Sequence, residues 1–151
     1  MKHFCASGLG RVVILELDRG EKLIESIEST LEKEGIKNAY IASAVGSIQH
    51  LEYHRPLTLA TMAEDEFLSL SEPFEVGNIG GTVIDGVAHL HISAGSPQGI
   101  QVGHLEKGTE VLYLVEIVLV EILGVDLERV LTPEKVKKLF PKGEGITGGA
   151  N

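Results

Sequence analysis

Apolar and polar positions alternate along most of this chain, and the alternation predicts strands. Arg11 to Leu17 is rich in β-branched residues and reads as a strand, paired with Lys2 to Ser7 in a hairpin around Gly8-Leu9-Gly10. The period then changes. Leu23, Ile24, Ile27 and Leu31 recur at helical spacing with charged residues between them, which predicts one amphipathic helix over residues 21–34. Asp18 and Glu21 have the spacing of a capping box, and Gly35 is a natural stop. Glu25, Glu28, Glu32 and Glu34 fall on the solvated side. Strand character returns from Asn38 to Val45, and Gly46 predicts a bulge or bend because the pattern runs on through Arg55. Pro56 to Glu66 reads as a loop, and Phe67 to Leu70 and Phe74 to Val83 as strands. Asp85-Gly86 is a strong hairpin turn signal.

Thr109 to Leu123 is apolar on both faces, so both faces should be covered. The single long helix covers one, and a neighbouring subunit is the economical cover for the other. Glu116 lies in the middle of this run and must be paired or at a seam, or else it is simply a peripheral strand position. Thr132-Pro133 predicts the start of a short terminal helix, Pro133 to Phe140, with proline in its first turn. With no repeat and no linker, residues 1–142 read as a single domain and residues 143–151 as a flexible tail.

The stretch with candidate chemistry is Gly86 to Gly108. His89 and His91 are two apart and share one face of a strand. Ser96 to Gly99 has turn composition. If those residues form the loop, Gly95 falls opposite Ile100 and His91 opposite His104. Directly paired residues have Cβ atoms roughly 4.5–5.5 Å apart, and His89 then lies diagonally from His104. Three imidazoles on one patch form the ligand set of an open zinc-type site. A slip of one residue moves His104 to the other face and leaves a half-exposed strand with polar residues outward. Glu106 falls opposite His89, as a fourth ligand, a carboxylate that orients an imidazole, or most simply a solvated rim charge. His50 and His54 share a face and read first as exposed polar residues, second as outer members of the site.

Composition narrows the partners. Asp and Glu number 22 against 13 Lys and Arg, a net charge of −9, which repels a phosphate backbone. There is no Trp, aromatics are 5%, and the only basic cluster is Lys135, Lys137 and Lys138, so direct nucleic-acid binding is disfavoured. Cys5 is the only cysteine, which forbids an intrachain disulfide, fits a reducing cytoplasm and reads as a small buried residue. No signal peptide is expected at the N-terminus. The longest apolar run, Val111 to Leu123, is interrupted by Glu116 and Glu121 and is too short to span a bilayer.

Several of these residues occur in an order that resembles a known family. Arg11 opens a strand, Gly20-Glu21 begins the helix, and Gly46 follows the strand after it. Phe67 to Ser71 forms a leucine-serine strand, and Asp85-Gly86 precedes His89-Leu90-His91. Gly103-His104-Leu105 is followed by Gly108. Over about residues 8–125 this is similar to the PPC domain, the plant- and prokaryote-conserved domain. The resemblance implies an α+β (mixed α/β) fold, with one main helix packed on an antiparallel-rich sheet, assembled as a homotrimer. In plants the domain follows an AT-hook that binds DNA and itself drives assembly and partner recruitment. Some prokaryotic members bind a metal through histidines matching His89, His91 and His104, and many carry a DNA-binding label. This chain has no Arg-Gly-Arg-Pro hook, reads Glu64-Asp65-Glu66-Phe67 where plant members carry a Gly-Arg-Phe-Glu segment, and has Val102 where a second glycine is common. The expected protein is therefore a trimeric, cytoplasmic module that binds a divalent transition metal, zinc first, and acts through protein partners. The alternative is a small zinc-dependent hydrolase or lyase with Glu106 as the nearest candidate base. No P-loop glycine pattern is present.

Overall fold

The computed structural model describes residues 1–144 of the chain. Its elements in order are β1 (Gly8–Asp18), α1 (Leu23–Lys33), β2 (Ala39–Pro56), β3 (Asp65–Leu70), β4 (Phe74–Ile84), β5 (Val87–Ser96), β6 (Gly99–Leu105), β7 (Glu110–Leu123), β8 (Leu127–Leu131) and β9 (Lys137–Pro141). Strands dominate, all pairing is antiparallel, and one short helix packs on them. The main sheet has the order β1-β7-β2-β4-β5-β6, with β3 paired to β2, while β8 and β9 form a separate hairpin.

The long strand β2 shapes the molecule. Its first half pairs with β7 and β4, and its second half with β3 and β6. Gly46 marks the change, at φ 138°, with its Cα so close to Leu114 and Val115 that a Cβ has no room. Because β6 returns to β2, the strands β2, β4, β5 and β6 close into a ring. Tyr53, Phe74, Ile79, Leu90, Ile92 and Leu105 are fully buried in the core. Helix α1 presents Leu23, Ile24, Ile27 and Leu31 to that core, as its period predicts.

Several local expectations are corrected. Lys2 to Ser7 forms no strand, and Gly8-Leu9-Gly10 is the start of β1, where the register to β7 shifts between Leu9 and Val12. Asp18 does not cap α1. The helix starts after Lys22, although Glu21 accepts the Asp18 backbone N–H at 2.6 Å, which is half of the expected box. Cys5 is exposed rather than buried. Glu116 lies opposite Glu16 on the exposed face of the β1–β7 pair.

The expected terminal helix is a β-hairpin. Lys135 N–H bonds to the Thr132 carbonyl at 2.9 Å, and Lys135 takes φ 63°. Pro133 therefore opens a turn, a position its fixed φ suits as well as a first helical turn. An eight-residue segment has too few turns to stabilise a helix alone, and pairing with β8 supplies its backbone bonds instead. The expected tail, residues 143–151, lies outside the described residues apart from Gly143 and Glu144.

Candidate metal centre

Five strands place the site. In register, Gly80 pairs with His91, His91 with His104, His104 with His54, and His54 with Phe67. This row runs straight across β4, β5, β6, β2 and β3, so His91, His104 and His54 are neighbours on one face. The β5–β6 pairing of His91 with His104 is the one expected from the turn, which narrows to Pro97 and Gln98. His89 lies two residues along β5 on the same face, its ring 4.7 Å from His104 and 5.5 Å from His91.

The seam between β6 and β2 depends on Gly103. A Cβ there would stand 2.5 Å from the His54 carbonyl oxygen and 2.7 Å from Tyr53 Cδ2. Only a glycine lets the strands approach closely enough for the His54 ring to stack on His104, at 4.4 Å.

The ligand nitrogens of His89, His91 and His104 all lie within 4.8 Å of one another. Tetrahedral zinc with Zn–N of about 2.0–2.1 Å needs nitrogens about 3.4 Å apart, a spacing within reach of small side-chain rotations. Protonation also suits a metal. Burial pushes the His104 imidazole down to about 4, with further repulsion from His54, His89 and His91. His89 is lowered too, first by burial, then by Arg129 and the neighbouring histidines. Both rings are neutral at pH 7 and present lone pairs.

Glu106 does not continue opposite His89, because β6 ends at Leu105. The Glu106 backbone N–H crosses to the Glu52 carbonyl at 2.9 Å, and its carboxylate accepts a bond from His54 Nδ1 at 2.7 Å. It is thus a carboxylate that orients an imidazole, and the imidazole is His54. Glu106, His54 and His104 form a second cluster with ligand atoms within 4.8 Å. His50 stands outside this cluster, bonded to Ser71 and Glu52. The signal for His54 was its four-residue spacing from His50 after a bend. That spacing put the two on one face, and the pairing of β2 with β6 then separated their roles.

The histidines line a cleft of about 930 Å³, and the β8–β9 hairpin forms part of its wall. Arg129 on β8 reaches this wall. Its Nη1 donates to the Val87 carbonyl at 2.9 Å and its Nη2 to Thr82 Oγ1 at 2.7 Å. No motif in the sequence pointed to Arg129. No helix among the described residues is long and apolar enough to cross a membrane.

Known proteins share this fold to different extents. Residues 6–123 match the Plants and Prokaryotes Conserved (PCC) domain. A plant- and prokaryote-conserved (PPC) protein of Pyrococcus horikoshii superposes with a TM-score of 0.75 at 25% identity, covering 91% of this chain and 95% of that one. A protein of Archaeoglobus fulgidus described as metal-containing superposes with a TM-score of 0.74 at 25% identity, covering 89% and 95%. A Bacteroides thetaiotaomicron protein whose description proposes DNA binding shares the fold alone, with a TM-score of 0.73 at 17% identity and coverage of 91% and 96%. The Bifunctional protein GlmU of Synechococcus sp. (strain JA-3-3Ab) is 31% identical over 118 residues, and the matched stretch spans 78% of this chain but only 18% of that protein. The domain match runs through β1 to β7 and includes every histidine of the cluster, and on it this chain belongs to the Plants and Prokaryotes Conserved domain family.

Proposed function

We propose that this protein holds a divalent transition metal, zinc by the chemistry of its donors, on His89, His91 and His104, and acts on a small molecule in the adjoining cleft as a hydrolase or lyase. The observation that carries this reading is three clustered imidazoles on the wall of an open cleft. The metal-containing description of the Archaeoglobus fulgidus protein adds support. A metal bound there supplies Lewis acidity and brings the pKa of a coordinated water toward neutrality. The remaining chemistry belongs to the chain. Because His54 Nδ1 donates its proton to Glu106, Nε2 is left free to take one. Glu106 then stabilises the imidazolium that forms, so it works through His54 rather than as the base itself.

The second reading is a binding or regulatory module that assembles as a homotrimer in the reducing cytoplasm, with the metal structural. An exposed apolar face across β1, β7 and β2 favours assembly. Val12, Ile14 and Val45 there are 61%, 72% and 50% exposed. Light scattering at micromolar concentration gives three chains per particle if the trimer forms, and one chain if it does not. Assembly and catalysis are compatible. DNA binding is the weakest reading against a charge of −9. An absence of any gel shift with duplex DNA at low salt removes it.

Cobalt substitution separates an open metal from a structural one. In an open site, added azide changes the visible cobalt spectrum. A cobalt spectrum indifferent to azide indicates a closed shell and contradicts the enzymatic reading.

A further inference from the structure

We infer that the C-terminal hairpin makes the cleft a receptor for a small anion, with Arg129 and Lys137 meeting the carboxylate or phosphate of a molecule that also reaches the histidine cluster. This rests on the reading of the cleft as a metal-centred small-molecule site and adds the class of ligand.

The chain carries −9, yet five basic residues line the cleft: Arg55, Lys107, Arg129, Lys135 and Lys137. Three acidic residues, Glu28, Asp65 and Glu106, face them. Arg55 is paired with Glu66 at 2.8 Å and Lys107 with Glu28 at 2.7 Å. Arg129, Lys135 and Lys137 have no ion-pair partner among the described residues. A wall of unneutralised cations in an acidic protein focuses a positive potential into the cleft and concentrates anions there.

Arg129 is the least expected of the three. It is half-buried, and its bonds to Val87 and to both oxygens of Thr82 use three of its five N–H groups. Thr82 is the cross-strand partner of His89, so the guanidinium is anchored one strand from a metal-ligating candidate. Arg129 and Lys137 line the same cleft as the histidines. Partial burial of a guanidinium with no counter-charge is costly, and an incoming oxyanion offsets that cost. Anchoring the hairpin explains three N–H groups of Arg129. It does not explain Lys137, which is exposed on β9 and whose side chain has no hydrogen-bond or ion-pair partner among the described residues.

All three unpaired cations come from residues 127–137, beyond the part of the chain that matches the family domain. The histidine wall thus belongs to the domain and the cationic wall to an appended hairpin. A cleft of about 930 Å³ admits a small molecule. A long polyanion would meet the negative remainder of the surface.

Isothermal titration with inorganic phosphate in one arm and succinate in the other, on metal-free and zinc-loaded protein in chloride-free buffer, tests this. The expected result is one anion bound per chain in at least one arm, already in the metal-free protein. The binding arm identifies the head group. Arg129→Gln should weaken it by about tenfold or more, and Lys137→Glu by a similar factor, with zinc stoichiometry unchanged. Lys137 is exposed, so that variant tests the inference even if Arg129→Gln loosens the hairpin, which circular dichroism would reveal. Zinc uptake without anion binding in either form overturns the inference and leaves the metal reading intact. Anion binding that both variants retain at full strength also overturns it. Anion binding sensitive to both variants in a protein that takes up no zinc supports the inference and sinks the metal reading.

Discussion

The cleft has two walls built on different principles. The histidine wall is a continuous row of paired strand positions, from Gly80 through His91, His104 and His54 to Phe67. Each imidazole is fixed by backbone bonds on both sides. The hairpin wall is tethered by a few bonds, Arg129 to Thr82 and Val87, Lys142 to Asp85 at 2.7 Å, and the Ala63 backbone N–H to the Glu134 carbonyl at 2.9 Å. In the first wall burial lowers His104 and His89 and so favours their neutral form, whereas the second wall is cationic. Ladder register can hold ligand nitrogens to the few tenths of an ångström a metal demands. A tethered hairpin needs only to bring charge near, and it can vary without disturbing the ladder. A precise centre inside a tunable rim is what that division of labour provides.

Mutations can break the comparison at either wall. His91→Ala should have the largest effect, lowering zinc affinity by about 100-fold or more in a chelator competition, since outer partners alone cost 10–100-fold. Anion affinity of the metal-free protein should be nearly unchanged. Next is Gly103→Ala. Its Cβ would strike the His54 carbonyl and Tyr53, so a denaturant melt should show a loss of about 2 kcal/mol. Zinc affinity should fall with it, because the β6–β2 seam carries both His104 and His54. Arg129→Gln should act in the opposite sense on the metal. Removing a nearby positive charge should raise zinc affinity by about two- to threefold while anion affinity falls. A fall in zinc affinity in that variant would show that the two walls are not separable.

Acid titration sharpens the contrast in charge state. His104 titrates at about 4 when folded, below its ordinary value of 6.5. Between those values the unfolded chain binds more protons, so stability falls as pH drops from about 6.5 to about 4 and the full loss is present below that. His89 contributes in the same direction. The thermal midpoint of metal-free protein should follow this fall. Zinc-loaded protein should lose more, because protons then compete with the metal for the same nitrogens.

The histidine wall was largely legible in the sequence because a tight turn sets register arithmetically. The turn at Ser96 to Gly99 sets His91 opposite His104. His54 was visible only as a residue sharing a face with His50, since a contact across β6 and β2 depends on a ring closing between segments 50 residues apart. Glu106 was misplaced because a register argument cannot see where a strand stops. The hairpin wall was missed for a physical reason as well. Pro133 fits a first helical turn and a β-turn equally, and β8–β9 pairing decided between them. Without the hairpin, Lys135 and Lys137 were only a small basic cluster, and Arg129 had no signal.

The central claim is that three histidines hold one metal. Its most direct test is the metal content of untagged protein purified without added metal, beside His91→Ala. The account predicts about one divalent metal per chain in the wild type and almost none in the variant. Wild-type protein that carries none, and takes up none when zinc is offered, would contradict it.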